Sequence, residues 1–129
     1  MNRASLVICS LVLSACASAP YYDNRPSAPA NISPEAAVDI VAGTDTEFVW
    51  DAAQRVSYYE FHLFNNTNAD IQQYYMRNLE PSQVCAASRC SLRVKVDLPV
   101  ATRHAWRVRA VNNAGASVWT RTIFNIVAP

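Results

Sequence analysis

The sequence predicts an all-β sandwich of seven short strands. From residue 34 onward the apolar residues recur with a period of two, and clusters of Asn, Asp and Gly interrupt that period at short intervals. Val38-Asp39-Ile40-Val41 reads as the first strand. Thr46, Phe48 and Trp50 then alternate with Asp45, Glu47 and Val49, up to the turn Asp51-Ala52-Ala53-Gln54. Tyr59, Phe61 and Leu63 alternate with Tyr58, Glu60, His62 and Phe64. Residues 65–70 form a turn, and Ile71 to Met76 a weaker strand. Leu92, Val94 and Val96 alternate with Arg93, Lys95 and Asp97. In "HAWRVRAVNNAGAS", Trp106, Val108 and Ala110 alternate with Arg107 and Arg109 until Asn112-Asn113-Ala114-Gly115 turns the chain. Residues 122–127 supply the last strand, and Pro34-Glu35-Ala36-Ala37 leaves room for a short, minor helix. Seven strands in about 95 residues match the spacing of a two-sheet sandwich.

The 129 residues suffice for one domain and a short appendage. Half the chain is apolar and 16% is charged, compatible with a compact core. A net charge of +1 gives no overall field favouring nucleic acid or anionic lipid. Signals for catalysis are weak. The chain has two histidines, His62 and His104, both on expected strands. His62 is expected to point outward beside Glu60 as a solvated pair. There is no G-x-S-x-G elbow, and two glycines in total cannot build a phosphate-cradling loop. No acidic cluster has calcium-loop spacing. The expectation is therefore no enzyme, no cofactor and no metal.

The N-terminus departs from globular composition. Met1-Asn2-Arg3 carries a positive charge, residues 4–13 form a short apolar run, and Leu13-Ser14-Ala15-Cys16 follows. The run is too short for a permanent membrane span and has the size of a secretory signal peptide. "LSAC" resembles the lipobox of bacterial lipoproteins. That resemblance implies a signal peptide over 1–15 and diacylglyceryl modification of Cys16, which becomes the first mature residue. Ala17 lacks the aspartate that retains such proteins in the inner membrane. The implied location is the outer membrane, on its periplasmic side, with surface exposure the alternative. Residues 16–31, with Pro20, Pro26 and Pro29, read as a disordered Pro-rich tether reaching at most roughly 50 Å. The folded domain is then expected over 32–129. Cys9 leaves with the signal peptide. Cys85 and Cys90, in "CAASRC", are expected to form a local disulfide in an oxidising compartment. A metal site would need further ligands, and a redox pair would more usually show C-x-x-C spacing.

The order of anchors carries a second resemblance. Trp50, then Tyr59-x-Phe61-x-Leu63, then Leu98, Thr102, His104, Trp106, Val108, Ala110, Asn112, Gly115 and Ser117 resemble the fibronectin type III domain over 32–128. "C…C" followed by "W-x-V-x-A-x-N-x-x-G-x-S-x-W-T" is similar to bacterial secreted modules of that kind. The resemblance implies an immunoglobulin-like sandwich in which the opening of this motif is strand F and Gly115 lies in the F–G turn. Two departures stand out. His104 occupies the place of the family's corner tyrosine, where an imidazole N–H can make a similar bond, and the family's proline is shifted to Pro99.

If strands C and F pair, Tyr58, Glu60, His62 and Phe64 share an outward face with Arg107 and Arg109, and Tyr74 or Tyr75 adds a further ring. Trp119 is placed to lie across the two arginines. "ASVWT" is similar in part to the Trp-Ser-x-Trp-Ser element of cytokine-receptor domains, where tryptophan and arginine interleave, with Ala116 in place of the first tryptophan. One reading is a self-satisfying structural ladder; the other is a recognition surface, since Tyr, Trp and Arg dominate binding hot spots. The candidate binding face is thus Tyr58, His62, Phe64, Arg107, Arg109 and Trp119. The expected function is a lipid-anchored, non-catalytic module contacting another envelope protein. The alternative is a carbohydrate-binding module on peptidoglycan or exported polysaccharide. Three or more coplanar exposed rings favour the alternative, and arginines stacked over those rings count against it.

Overall fold

A computed structural model describes residues 23–66 and 72–129. The expected signal peptide, Cys16 and the first part of the expected tether lie outside the described residues. Ten strands are described: β1 (Ala30–Ser33), β2 (Asp39–Val41), β3 (Thr44–Asp51), β4 (Tyr58–Asn65), β5 (Gln72–Leu79), β6 (Cys85–Ala86), β7 (Arg89–Val96), β8 (Ala101–Asn112), β9 (Gly115–Ala116) and β10 (Thr120–Val127). One helical turn, α1 (Pro81–Val84), precedes β6. The strands form a four-stranded sheet, β1-β3-β7-β6, and a six-stranded sheet, β2-β10-β8-β4-β5 with β9 on β8. The β2–β10 pair is parallel; the others are antiparallel. This is an immunoglobulin-like sandwich whose seven longest strands, β1, β3, β4, β5, β7, β8 and β10, correspond roughly to the expected count.

Three local expectations need correction. The strand expected first, at 38–41, is preceded by β1 and is itself three residues long, held on the edge of β10. The helix expected at 34–37 is absent: Ala36 and Ala37 form a turn, with Ala37 at φ 63°, outside helical geometry. Nor do residues 23–31 of the expected tether stand away from the domain. Ser27 exchanges hydrogen bonds with Gln54, the Arg25 carbonyl accepts from Arg55, and the Thr120 hydroxyl donates to the Pro29 carbonyl. Pro26 and Pro29 are buried, and Ala30 and Asn31 already belong to β1. Asn31 Nδ2 reaches across to the Thr120 carbonyl and Thr122 Oγ1, both at 3.0 Å, and so ties β1 to the opposite sheet.

The pleat drives the core. Successive side chains of a strand face opposite ways, so alternation in sequence becomes two chemically distinct faces. Phe48 and Trp50 from β3 meet Phe61 from β4, Trp106 from β8 and Phe124 from β10, all fully buried. Phe48 lies 5.2 Å from Phe61 and 5.3 Å from Trp106, both edge-on, the packing that aromatic quadrupoles favour. Two of the polar edges are satisfied: Trp106 Nε1–H donates to the Pro34 carbonyl (3.3 Å), and the Tyr59 hydroxyl accepts from the Ala53 amide (2.8 Å). Burial pushes the Tyr59 phenol pKa up from its ordinary value.

Cys85 and Cys90 form a disulfide across the β6–β7 hairpin, where they are direct register partners. At the β7–β8 corner, fully buried His104 places Nε2 2.8 Å from the Pro99 carbonyl oxygen. A carbonyl only accepts, so Nε2 carries the proton and the imidazole ties the corner back to the upstream backbone. This is the bond expected of the residue standing in for the corner tyrosine.

His104→Phe keeps the ring and removes that donor. It is expected to cost about 1–2 kcal/mol, a lost hydrogen bond with a partly buried carbonyl left behind. Urea unfolding would show a lower midpoint with an unchanged slope; an unchanged midpoint would mean that the corner bond contributes nothing.

Candidate functional site: the arginine–tryptophan face

The outward face of the six-stranded sheet is organised by register. Glu60 opposes Arg109, His62 opposes Arg107, and Phe64 opposes Ala105 across β4–β8. Arg121 opposes Arg107 and Ile123 opposes Ala105 across β8–β10. On the other side of β4, Met76 of β5 opposes His62. Directly opposed residues share a face. One continuous row across the sheet is therefore Met76–His62–Arg107–Arg121.

Trp119 folds back over this face from the segment before β10. Its ring lies 4.2 Å from the Arg107 guanidinium carbon, 4.5 Å from that of Arg109, and 4.6 Å between centroids from His62. The indole thus bridges two adjacent outward arginines of one strand. Its approach is fixed by the turn beneath it. Asn112 Oδ1 accepts from the Ala114 amide, while its Nδ2 donates to the carbonyls of Asn24 and Arg55. Gly115 sits at φ +139°, a backbone conformation that calls for glycine, and a Cβ there would lie 3.2 Å from the Arg25 side chain. Ser117 exchanges two bonds with Ala110: its amide donates to the Ala110 carbonyl, and its hydroxyl accepts from the Ala110 amide.

The two arginines differ in compensation. Arg109 Nε sits 2.7 Å from Glu60 Oε2, a half-buried ion pair. Arg107 instead directs Nε (3.3 Å) and Nη2 (3.1 Å) at His62 Nδ1 and covers the Phe64 ring at 4.8 Å. A guanidinium has no acceptor, so His62 Nδ1 is unprotonated and accepts. Burial, with the nearby guanidiniums of Arg109 and Arg121, pushes the Arg107 pKa down. Burial, then the Arg107 charge, also lowers the His62 pKa.

The expected site residues fall as follows. Tyr58, His62, Arg107, Arg109 and Trp119 lie on the expected face. Phe64 is on that side but fully buried, serving as a floor under Arg107 rather than an exposed contact. His62 is not a solvated partner of Glu60: Glu60 takes Arg109, and His62 packs between Arg107 and Trp119. Tyr75 turns inward onto Phe61, 6.1 Å away, and adds no ring to the face; the Tyr74 side chain is not among those described. The residue missed from sequence is Arg121. Its Nη1 donates to Asn66 Oδ1 at 3.2 Å. The signal for it was available, since any strand pairing that places Trp119 over Arg107 brings Arg121 beside it. Among the described residues, no group of three or more His, Cys, Asp or Glu side chains is arranged to hold a metal ion.

No family model and no curated protein matches the chain. Solved structures that it resembles include "Structure of FN3tt mut" (16% identity, TM-score 0.45, 80% of this chain and 100% of that one) and "Crystal Structure of FN3tt" (16%, 0.44, 77% and 97%). A chimeric titin Z1Z2-Z1Z2 tandem carrying a fibronectin-derived peptide matches at 16% identity and TM-score 0.40, over 81% of this chain and 51% of that one.

Burial of His62, with the Arg107 charge beside it, sets a pH dependence. A histidine whose folded pKa lies below its unfolded value near 6.5 binds a proton first in the unfolded chain. Its contribution to stability is fully present above pH of about 6.5 and declines as pH falls from there to the lower folded value. Chemical denaturation over that window should show the midpoint dropping with acid. His62→Gln should remove that part of the drop, and an identical profile in the variant would show that His62 is not the titrating group.

Proposed function

We propose that this chain is a non-catalytic binding module of the bacterial cell envelope, anchored by lipid on Cys16, that contacts another envelope protein through the arginine–tryptophan face. The observation that carries the reading is the stack of Arg107 and Arg109 on Trp119. Aromatic and arginine side chains held rigid before binding are the groups that concentrate binding energy, because little of their freedom is left to lose. The same stack weighs against a carbohydrate platform, since guanidiniums occupy indole surface that a sugar ring would need, and Phe64 and Tyr75 offer no further exposed ring plane.

The docking of residues 23–31 shortens the reach of this module. Only residues 17–22 separate Cys16 from the first described residue, and seven Cα steps span at most roughly 25 Å. A lipid at Cys16 would therefore hold the sandwich beside the membrane rather than far from it. Among the described residues no helix is long and apolar enough to cross a membrane. Attachment in this reading rests on acyl chains, each buried methylene contributing about 0.8 kcal/mol.

Cys16→Ala should move the protein from the membrane to the soluble fraction on cell fractionation. Continued membrane attachment of that variant would sink the lipoprotein reading. In-cell cross-linking tests the face. Arg107→Glu with Arg109→Glu is expected to abolish capture of a defined envelope protein while urea unfolding stays cooperative. Loss of cooperative folding in that variant would instead assign the stack a purely structural role.

A further inference from the structure

Arg107 and Arg121 face each other across β8 and β10, where like charges are ordinarily destabilising. Neither has a carboxylate within ion-pair distance among the described residues. Yet both guanidiniums are positioned. Arg107 is clamped between the Phe64 and Trp119 rings and hydrogen-bonded to His62. Arg121, exposed on β10, donates from Nη1 to Asn66 Oδ1 just beyond the end of β4, so the two together span β8. On the same face Ala105 of β8 opposes Phe64 of β4 and Ile123 of β10, and both Ala105 and Phe64 are fully buried. The result is two held cations beside a small buried apolar patch, two residues along β8 from an arginine whose charge is already matched by Glu60.

We infer that the Arg107–Arg121 pair is a seat for a carboxylate supplied by an acidic protein partner. The inference rests on the binding-module reading and specifies the chemistry of its partner. Two forked donors beside a buried apolar patch suit a planar two-oxygen acceptor, and a charge-assisted pair there is stronger than a neutral hydrogen bond. An incoming carboxylate would also relieve the repulsion between the two cations.

The test uses the full chain with nitrogen-15-labelled arginine and a tetraglutamate peptide as probe. The Arg107 and Arg121 Nε–H resonances should shift with tetraglutamate and not with tetraglutamine, and added salt should weaken the effect. Arg121→Gln should weaken binding about tenfold, equivalent to about 1.4 kcal/mol. Asn66→Ala leaves the net charge unchanged but frees Arg121, and should weaken binding several-fold. Arg93→Gln, which breaks the exposed Arg93–Glu47 pair on the other sheet, should leave binding intact. Equal binding of tetraglutamine, or no effect of Arg121→Gln, overturns the proposal. So does inorganic phosphate shifting the same resonances when tetraglutamate does not. Cross-linking to a partner through this face without peptide binding would remove the carboxylate seat and leave the binding-module reading standing.

Discussion

The pleat of β8 is the constraint on which both halves of this molecule depend. β8 is paired on both sides, with β4 and β10, so its register cannot drift without breaking two ladders. It sends His104, Trp106, Val108 and Ala110 inward, where all four are fully buried, and Arg107 and Arg109 outward. A slip of one residue would exchange those sets, placing two guanidiniums against Phe48 and Phe61. The cost of burying unpaired charge there is far larger than any loss of surface contact. Core and face are thus specified together, and the arginine row is as well determined as the hydrophobic centre behind it.

Trp119 is held by a second set of constraints, which begin in the chain before the first strand. Asn112 fastens the β8–β9 turn to backbone carbonyls at Asn24 and Arg55, and Gly115 leaves room for Arg25. Arg25 itself is aligned by Asp23, whose carboxyl is held down to a pKa of about 2 by that guanidinium. Residues 23–29 therefore support the segment that delivers the indole to its arginines. A stretch of Pro, Ser, Ala and Asn reads as tether because it has almost no apolar surface to bury. It docks here because an extended, proline-stiffened chain loses little entropy on fixing and offers its carbonyls to Arg55, Asn112 and Thr120.

This explains which features were legible in sequence. Alternation over Tyr58–Asn65 and along β8 identifies strands and sorts inward from outward residues, because one face must be apolar. The outward arginine row followed from the same register, and Trp119 over Arg107 and Arg109 from the partial likeness of "ASVWT" to a tryptophan–arginine ladder. What alternation cannot carry is polar docking of a segment without a hydrophobic period, or the reach of a long side chain across a strand. Phe64 shows the second limit. Its position in the pleat is outward as expected, yet its exposure is set by the arginine above it and not by its own strand.

Arg107 and Arg109 show how little of a surface's chemistry follows from residue type alone. They share a strand, a face and an indole, and only two residues separate them. Arg109 meets a carboxylate because β4 places Glu60 opposite it; Arg107 meets a neutral imidazole because the next outward residue of β4 is His62. Burial, then the Arg107 charge, lowers the His62 pKa, and a protonated His62 would make the row three adjacent cations. Among the described residues the face is accordingly matched at one end, by Glu60, and at the other carries two arginines with no carboxylate within ion-pair distance.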